Sequence, residues 1–83
     1  MRILYFAALR ERLGMAEETV NPPDTIRTVG DLIDWLRGRD PEHAAALREN
    51  SMIRVAVNQD YARPEDPVQA TDEIAIFPPV TGG

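Results

Sequence analysis

The sequence predicts an α+β domain with its helices on one face of a mixed sheet, and three observations lead to this fold class. Apolar, strand-like segments open and close the chain at residues 2–8 and 73–77. A strongly amphipathic helical segment, residues 29–38, lies between them. The chain has 83 residues, so it forms one small domain with little room for a deep, enclosed active site.

The first segment is apolar at both parities, which is typical of a strand that is covered on both sides. Its side chains alternate between two faces, one with Ile3, Tyr5 and Ala7 and the other with Leu4, Phe6 and Ala8. The next residues, ALRERLG, predict a short helical turn that stops at Gly14. Residues 17–21 predict a second strand, which a double proline ends.

The clearest element is the helix predicted over residues 29–38. Thr28 is a suitable N-cap, and Asp31 occupies the third helical position, near the positive end of the dipole. Four apolar residues with helical spacing form one stripe, which indicates packing on a sheet: Val29, Leu32, Ile33 and Leu36. A second short helix is predicted from Asp40 towards Asn50, with Pro41 in its first turn.

Strand patterns return at residues 52–57, at 61–63 as a short edge strand, and at 73–77. The two most apolar strands, the first and the last, are expected side by side in the centre. This order predicts a β-grasp, or ubiquitin-like, roll: a mixed sheet of about four to five strands with one main helix and one or two short helices on one face. Element order alone leaves a ferredoxin-like fold as an alternative.

Composition excludes several classes of site. The chain has no cysteine and one histidine, which excludes a disulfide framework, a thiolate nucleophile and a Cys- or His-rich metal site. A formal net charge of −5 disfavours nucleic-acid binding, and no apolar stretch is long enough to span a membrane. We therefore expect a cytoplasmic protein that binds no metal.

The histidine and the acidic residues are expected to lie on the surface. His43 sits among alanines on the second helix, and without a partner group it is predicted to be a surface residue. The acidic side chains that are predicted to form a solvated surface are Glu11, Glu17, Glu18, Asp24, Glu65 and Asp66.

The last six residues, 78–83, have properties that suit a reaction at the terminal carboxylate. After the last strand, Pro78 and Pro79 favour a stiff extended segment, and Val80 and Thr81 are small enough for a narrow tunnel. Gly82 and Gly83 carry no side chain, so a nucleophile or a phosphate can approach the terminal carboxylate closely. Residues 78–83 are therefore expected to form an extended, flexible tail beyond a domain of residues 1–77. Small residues at a chain end also occur without any function.

Three segments carry a family resemblance: LYFAALRERLG, VAVNQDYA and DEIAIFPPVTGG. With them, the whole chain resembles the small, sulfur-carrying subunit of molybdopterin synthase (the MoaD type). The resemblance implies that an E1-like enzyme uses ATP to adenylate Gly83, and that a sulfur donor protein then converts it to a thiocarboxylate. The chain itself is expected to bind no cofactor.

The resemblance also implies where the sulfur goes. The large subunit of molybdopterin synthase receives the tail, with two small subunits on a large-subunit dimer. Sulfur is delivered to cyclic pyranopterin monophosphate to build molybdopterin, and the large subunit supplies the catalytic groups. Phe6, Tyr61 and Phe77 match an apolar docking surface, and Arg10 matches a nearby polar contact. An exposed apolar patch of Leu4, Phe6, Ala75 and Phe77 is expected if helices cover only the other sheet face.

Other functions remain open at this point. The chain could carry sulfur for another pathway, such as thiazole or cysteine synthesis, or be conjugated through Gly83 to lysines on target proteins. It could also be a ubiquitin-like binding module with an incidental tail. All nine basic residues are arginine, so the chain offers no lysine for self-conjugation.

Overall fold

The computed structural model describes residues 1–48 and 53–78. Over these residues the chain forms five strands and three helices. In chain order they are β1 (Arg2–Tyr5), α1 (Ala7–Leu13), β2 (Glu17–Thr19), α2 (Val29–Arg37), α3 (Pro41–Ala46), β3 (Arg54–Val57), β4 (Asp60–Ala62) and β5 (Glu73–Phe77). The predicted start of the third strand at Met52 and the tail residues 79–83 lie outside the described residues.

The strands form one sheet in the order β2-β1-β5-β3-β4. The first and last strands, β1 and β5, are parallel neighbours near the centre, and the other strand pairs are antiparallel. β1 and β2 pair directly, although α1 lies between them in the chain, so they are not the parallel β-α-β unit that the ferredoxin-like alternative requires. The predicted β-grasp fold is confirmed.

Helix α2 forms where its sequence pattern predicts. The Thr28 hydroxyl accepts a hydrogen bond from the Asp31 backbone N–H at 3.1 Å, and the Thr28 N–H donates to the Asp31 carboxylate at 3.3 Å. These two bonds make a capping box, which satisfies donors that the first helical turn leaves free. All four residues of the apolar stripe are buried, so the predicted packing of the helix against the sheet is confirmed.

The core lies between the helices and the inner face of the sheet. From the strands it takes alternate residues, since Ile3 and Tyr5 of β1 and Ile74 and Ile76 of β5 are essentially inaccessible. Each aliphatic side chain of this kind contributes roughly 1.5–3 kcal/mol by leaving water. The opposite face, which we call the outer face, carries the alternate residues of the same strands.

Several predicted boundaries were wrong. The first strand ends at Tyr5 rather than at residue 8, because the chain turns into α1 at Ala7. The second strand covers Glu17–Thr19 instead of residues 17–21, and the edge strand starts at Asp60. Helix α3 ends at Ala46, with Leu47 as its C-cap. The last strand has the predicted bounds.

The predictions for His43 and Glu18 were also wrong, because the two side chains satisfy each other inside the fold. His43 is only 3% exposed. Its Nε2 lies 2.7 Å from the Glu18 carboxylate on β2, and its Nδ1 lies 2.8 Å from the Asp40 carboxylate at the α3 N-cap. The Tyr5 hydroxyl donates to the same Glu18 oxygen at 2.7 Å. This polar cluster ties β1, β2 and α3 together beneath the helices.

The geometry of the cluster favours a charged imidazolium. Both ring nitrogens of His43 face carboxylate oxygens, so both must donate. Burial alone lowers the pKa of His43, but the bonds to Glu18 and Asp40 outweigh it and hold that pKa above its usual value. Burial likewise raises the pKa of Glu18, but the His43 and Tyr5 bonds bring it below its usual value. The His43 backbone N–H, and then its ring, lower the pKa of Asp40.

No helix among the described residues is long and apolar enough to cross a membrane.

The cluster predicts that stability declines at alkaline pH. The folded state raises the pKa of His43 above 6.5, so the stabilisation is complete below about pH 6.5 and is lost as the pH rises through the folded value. The stabilisation from the Glu18 and Asp40 carboxylates depends on pH in the opposite direction, because the folded state lowers their pKa values. It is lost only as the pH falls through those lowered values. We expect the free energy of unfolding, measured by urea denaturation, to fall as the pH rises above about 6.5.

The matched variant is His43→Gln, which keeps a polar side chain but cannot titrate. Its stability is expected to be lower at pH 6 and to vary less between pH 6 and 9 than that of the wild type. If the free energy of unfolding falls equally with rising pH in both proteins, a group other than His43 causes the decline.

Candidate functional site

The candidate site lies where β5 leaves the sheet. β5 sits between β1 and β3, and it ends at Phe77, which Pro78 follows. The predicted transfer residues Pro79, Val80, Thr81, Gly82 and Gly83 lie outside the described residues. Their predicted roles stay predictions, as does that of Pro78. What the structure describes is the surface from which the tail departs.

Three aromatic side chains meet on the outer face at this end of the sheet, and we call them the aromatic patch: Phe6, Tyr61 and Phe77. The Phe6 and Phe77 ring centroids are 6.5 Å apart with planes at 83°, and those of Tyr61 and Phe77 are 5.9 Å apart at 60°. These are edge-to-face arrangements. Phe6 is 45% and Tyr61 79% exposed, so the sheet presents two large rings to solvent beside the exit of the tail.

Phe6 reaches this surface because the chain turns abruptly after it. Phe6 has extended backbone angles, and its N–H donates to the Ile76 carbonyl at 3.2 Å, which continues the β1–β5 pairing by one residue. Ala7 then has φ +53°, a left-handed conformation that is costly for a residue with a Cβ. This turn starts α1 and leaves the Phe6 ring on the outer face beside Phe77.

Tyr61 is placed by a tight hairpin. Asn58 and Gln59, the two residues between β3 and β4, both have positive φ, as a type I′ turn requires. The Asn58 side chain accepts from the Glu73 N–H at 3.0 Å and donates to the Asp72 carboxylate at 2.9 Å, which fixes the turn to the start of β5. The resulting register sets Tyr61 opposite Ala56, which in turn faces Ala75 of β5.

The other residues predicted for this surface are distributed around the patch. Leu4 and Ala75 are cross-strand partners on the outer face and are partly exposed. They belong to the apolar surface that the sequence predicts. Arg10 is exposed on α1, four residues after Phe6. The structure thus brings the three aromatic residues into contact and leaves Arg10 at the side.

The far end of the outer face has the opposite character. Arg2 on β1 bonds Glu17 on β2, with its Nε 2.9 Å from the carboxylate, and lies 3.3 Å from Glu73 on β5. Charged side chains therefore cover that end, while apolar rings cover the end where the tail departs. A partner that buries apolar surface has one favourable place to bind on this face.

The described residues include no group of three or more side chains suited to a metal ion. The most polar interior site is the cluster around His43, which sequence reasoning missed. The inward parity of Tyr5 and the position of Glu18 on the paired strand are the signals that could have found it. Since His43 is buried and all its ring nitrogens are bonded, the cluster is structural.

An open groove of about 750 Å³ runs between α2 and the β3–β4 hairpin. Its floor is apolar, with Val29, Ile33 and Val55, and arginines stand among its lining residues. It contains no pair of groups suited to acid–base or nucleophilic catalysis.

Comparison with known proteins identifies the family. A family model described as the ThiS family matches residues 3–83. The chain belongs to the ThiS family. A molybdopterin synthase sulfur carrier subunit from Haemophilus influenzae is 35% identical over 83 residues, which cover 100% of this chain and 99% of the relative. The resemblance to molybdopterin synthase sulfur carrier subunits that the sequence analysis described is confirmed.

Two solved structures have the same fold as this chain. The crystal structure of SAMP1 from Haloferax volcanii is 35% identical with a TM-score of 0.77, over 100% of this chain and 98% of that one. A putative molybdopterin converting factor, subunit 1, from Pyrococcus furiosus is 26% identical with a TM-score of 0.76, over 95% of each chain.

The left-handed Ala7 predicts an unusual response to glycine. Ala→Gly in a helix ordinarily costs roughly 0.5–1 kcal/mol, but at Ala7 glycine removes a strain of about 1–2 kcal/mol. We expect Ala7→Gly to be neutral or stabilising by up to about 1 kcal/mol in urea denaturation. The matched control is Ala8→Gly, at the next exposed position of the same helix, where the ordinary loss is expected. Equal losses in both variants would contradict the strain.

Proposed function

We propose that this chain is the sulfur carrier subunit of a molybdopterin synthase and acts in molybdenum cofactor biosynthesis. The observation that carries the proposal is the match, over essentially the whole of both chains, to a relative of that name. The described surface supports it, because an aromatic patch adjoins the point from which the tail leaves the sheet. The chain supplies the sulfur, and catalytic side chains belong to the partner.

The reacting atom in this proposal is the terminal carboxyl carbon of Gly83. A carboxylate oxygen attacks the α-phosphate of ATP on an E1-like enzyme, and pyrophosphate leaves. Sulfide then attacks the carbonyl carbon and expels AMP; alternatively a donor protein's persulfide attacks, and a thiol reduces the resulting acyl disulfide. Either route leaves a thiocarboxylate, whose sulfur is a nucleophile. ATP is bound by the adenylating enzyme, and this chain needs no cofactor of its own.

The tail sequence suits delivery into a partner's active site. Six residues from Pro78 span up to ~20 Å when extended, enough to carry Gly83 well beyond the patch. The two prolines limit the conformations that are lost on entering a channel. Gly82 and Gly83 allow close approach of the reacting groups.

The aromatic patch is the proposed docking surface for the large subunit, with two small subunits on a large-subunit dimer. Exposed aromatic rings are typical anchors of protein interfaces. Phe77 connects docking by the patch with delivery by the tail. It contacts both Phe6 and Tyr61, and it ends the strand that leads into the tail. We place the reaction in the cytoplasm, where ATP is available to the adenylating enzyme.

A second candidate function is protein modification through Gly83. It is favoured by one observation, the 35% identity and common fold with SAMP1 of Haloferax volcanii, a small archaeal modifier protein. The activated glycine would then form an isopeptide bond with a lysine on a target protein. Both functions begin with the same adenylate, so the product separates them.

The proposed function predicts thiocarboxylation at Gly83. After incubation with ATP, the cognate adenylating enzyme and sulfide, we expect the intact mass to rise by the difference between sulfur and oxygen. A variant with one alanine added after Gly83 should fold with unchanged stability and show no shift, because its Gly83 carboxyl is an amide.

Each outcome of this experiment has a meaning. A mass shift in the wild type alone supports the carrier. The absence of a shift with demonstrably active enzyme, together with Gly83 found in isopeptide bonds to lysines, would favour the modifier. A shift in the extended variant would show that the reaction does not require Gly83 as the terminal residue, and it would contradict the proposal.

The proposed function also predicts which residues contribute to docking. Phe77→Ala and Tyr61→Ala are each expected to weaken binding to the large subunit by about 1–3 kcal/mol, measured by calorimetry. Tyr61 is 79% exposed, so Tyr61→Ala should leave the thermal unfolding temperature nearly unchanged. Unchanged affinity in both variants would contradict the assignment of the patch.

A further inference from the structure

Two arginines border the aromatic patch on the side of the β3–β4 hairpin. Arg54, the first residue of β3, pairs directly with Phe77 of β5, so both side chains project on the outer face. Arg63 follows β4 directly, and the β3–β4 register, continued by one residue, sets it opposite Arg54. Both side chains are exposed. The patch is therefore bordered by two guanidinium groups.

Neither arginine is neutralised within the described part of the chain. No carboxylate among residues 1–48 and 53–78 lies within ion-pair distance of Arg54 or Arg63. At the other end of the same sheet face, Arg2 is held by Glu17 and Glu73. The chain has 14 acidic residues and a net charge of −5, so positive charge that no described carboxylate neutralises is unexpected beside the patch.

We propose that Arg54, with Arg63 beside it, forms a cationic margin of the aromatic patch that receives a carboxylate of the protein docking there. The inference rests on the proposed function, in which that protein is the large subunit of molybdopterin synthase. It adds the chemistry of the partner: an apolar surface for the rings, with an aspartate or glutamate next to it.

The chemistry of arginine suits this role. Its planar guanidinium can donate two parallel hydrogen bonds to one carboxylate, which fixes orientation as well as distance. Next to buried rings such a pair is partly shielded from water, so it is stronger than an isolated surface ion pair. Charges at the rim of an interface also accelerate encounter and disfavour wrong partners. The margin thus fixes the orientation of the bound partner and adds charge selectivity, which the aromatic rings alone do not provide.

The margin continues around the edge of the sheet. Arg54, Tyr61 and Arg63 also line the groove between α2 and the β3–β4 hairpin. A partner seated on the patch therefore meets the two arginines of the margin along the side of the β3–β4 hairpin. The opposite side of the patch borders α1, where Arg10 is exposed.

The test compares charge reversals at equal net charge. Arg54→Glu is expected to raise the Kd for the purified large subunit by roughly tenfold or more at low salt, mainly through slower association. Arg54→Gln should have a smaller effect, and the difference between wild type and Arg54→Glu should shrink as the salt concentration rises. Arg27→Glu is the matched control, because Arg27 is exposed, precedes α2 and does not belong to the outer face. It should stay within about twofold of the wild type.

The outcomes separate this inference from the proposed function. Wild-type affinity in Arg54→Glu, alongside weak binding by Tyr61→Ala, would overturn the margin and leave the docking patch intact. Equal losses in Arg54→Glu and Arg27→Glu would also overturn it, because the effect would then be one of net charge. A wild-type chain that does not bind the large subunit would overturn both proposals. Unchanged thermal unfolding of Arg54→Glu confirms that the comparison is between folded proteins.

Discussion

The parallel pairing of β1 with β5 is the interaction on which the rest of this structure depends. It joins the two ends of the chain in register, with Ile3 beside Ile74 and Tyr5 beside Ile76. On the inner face this pairing forms the centre of the core. On the outer face its continuation by the Phe6 N–H brings Phe6 against Phe77. One ladder therefore builds both the packing that stabilises the domain and the surface through which it is proposed to act.

The outer face of the sheet is charged at one end and aromatic at the other. Ion pairs around Arg2 cover one end. Aromatic rings occupy the end from which the tail leaves, bordered by two arginines that no carboxylate among residues 1–48 and 53–78 neutralises. The strained Ala7 is part of this division, because its left-handed turn ends β1 and leaves the Phe6 ring exposed. Backbone strain of this size persists only where the surrounding contacts enforce it. Here they are the β1–β5 ladder on one side and α1 on the other.

Much of the fold follows from local sequence patterns, and what was missed depends on distant residues. The capping box and apolar stripe of α2, and the alternation of β5, act within a few residues and were read correctly. The end of β1 was missed because apolar alternation continues past the turn at Ala7. His43 was misplaced because its partner Glu18 lies 25 residues away. The aromatic contacts were expected from the family resemblance, but the bordering arginines emerge only from the strand register.

The β1–β5 ladder also has a mechanical consequence. Because the strands are parallel, the N-terminus lies at one end of the ladder and the tail leaves from the other. A pull on the tail against the start of the chain therefore acts along the strands and loads their hydrogen bonds together, in shear, instead of opening them one by one.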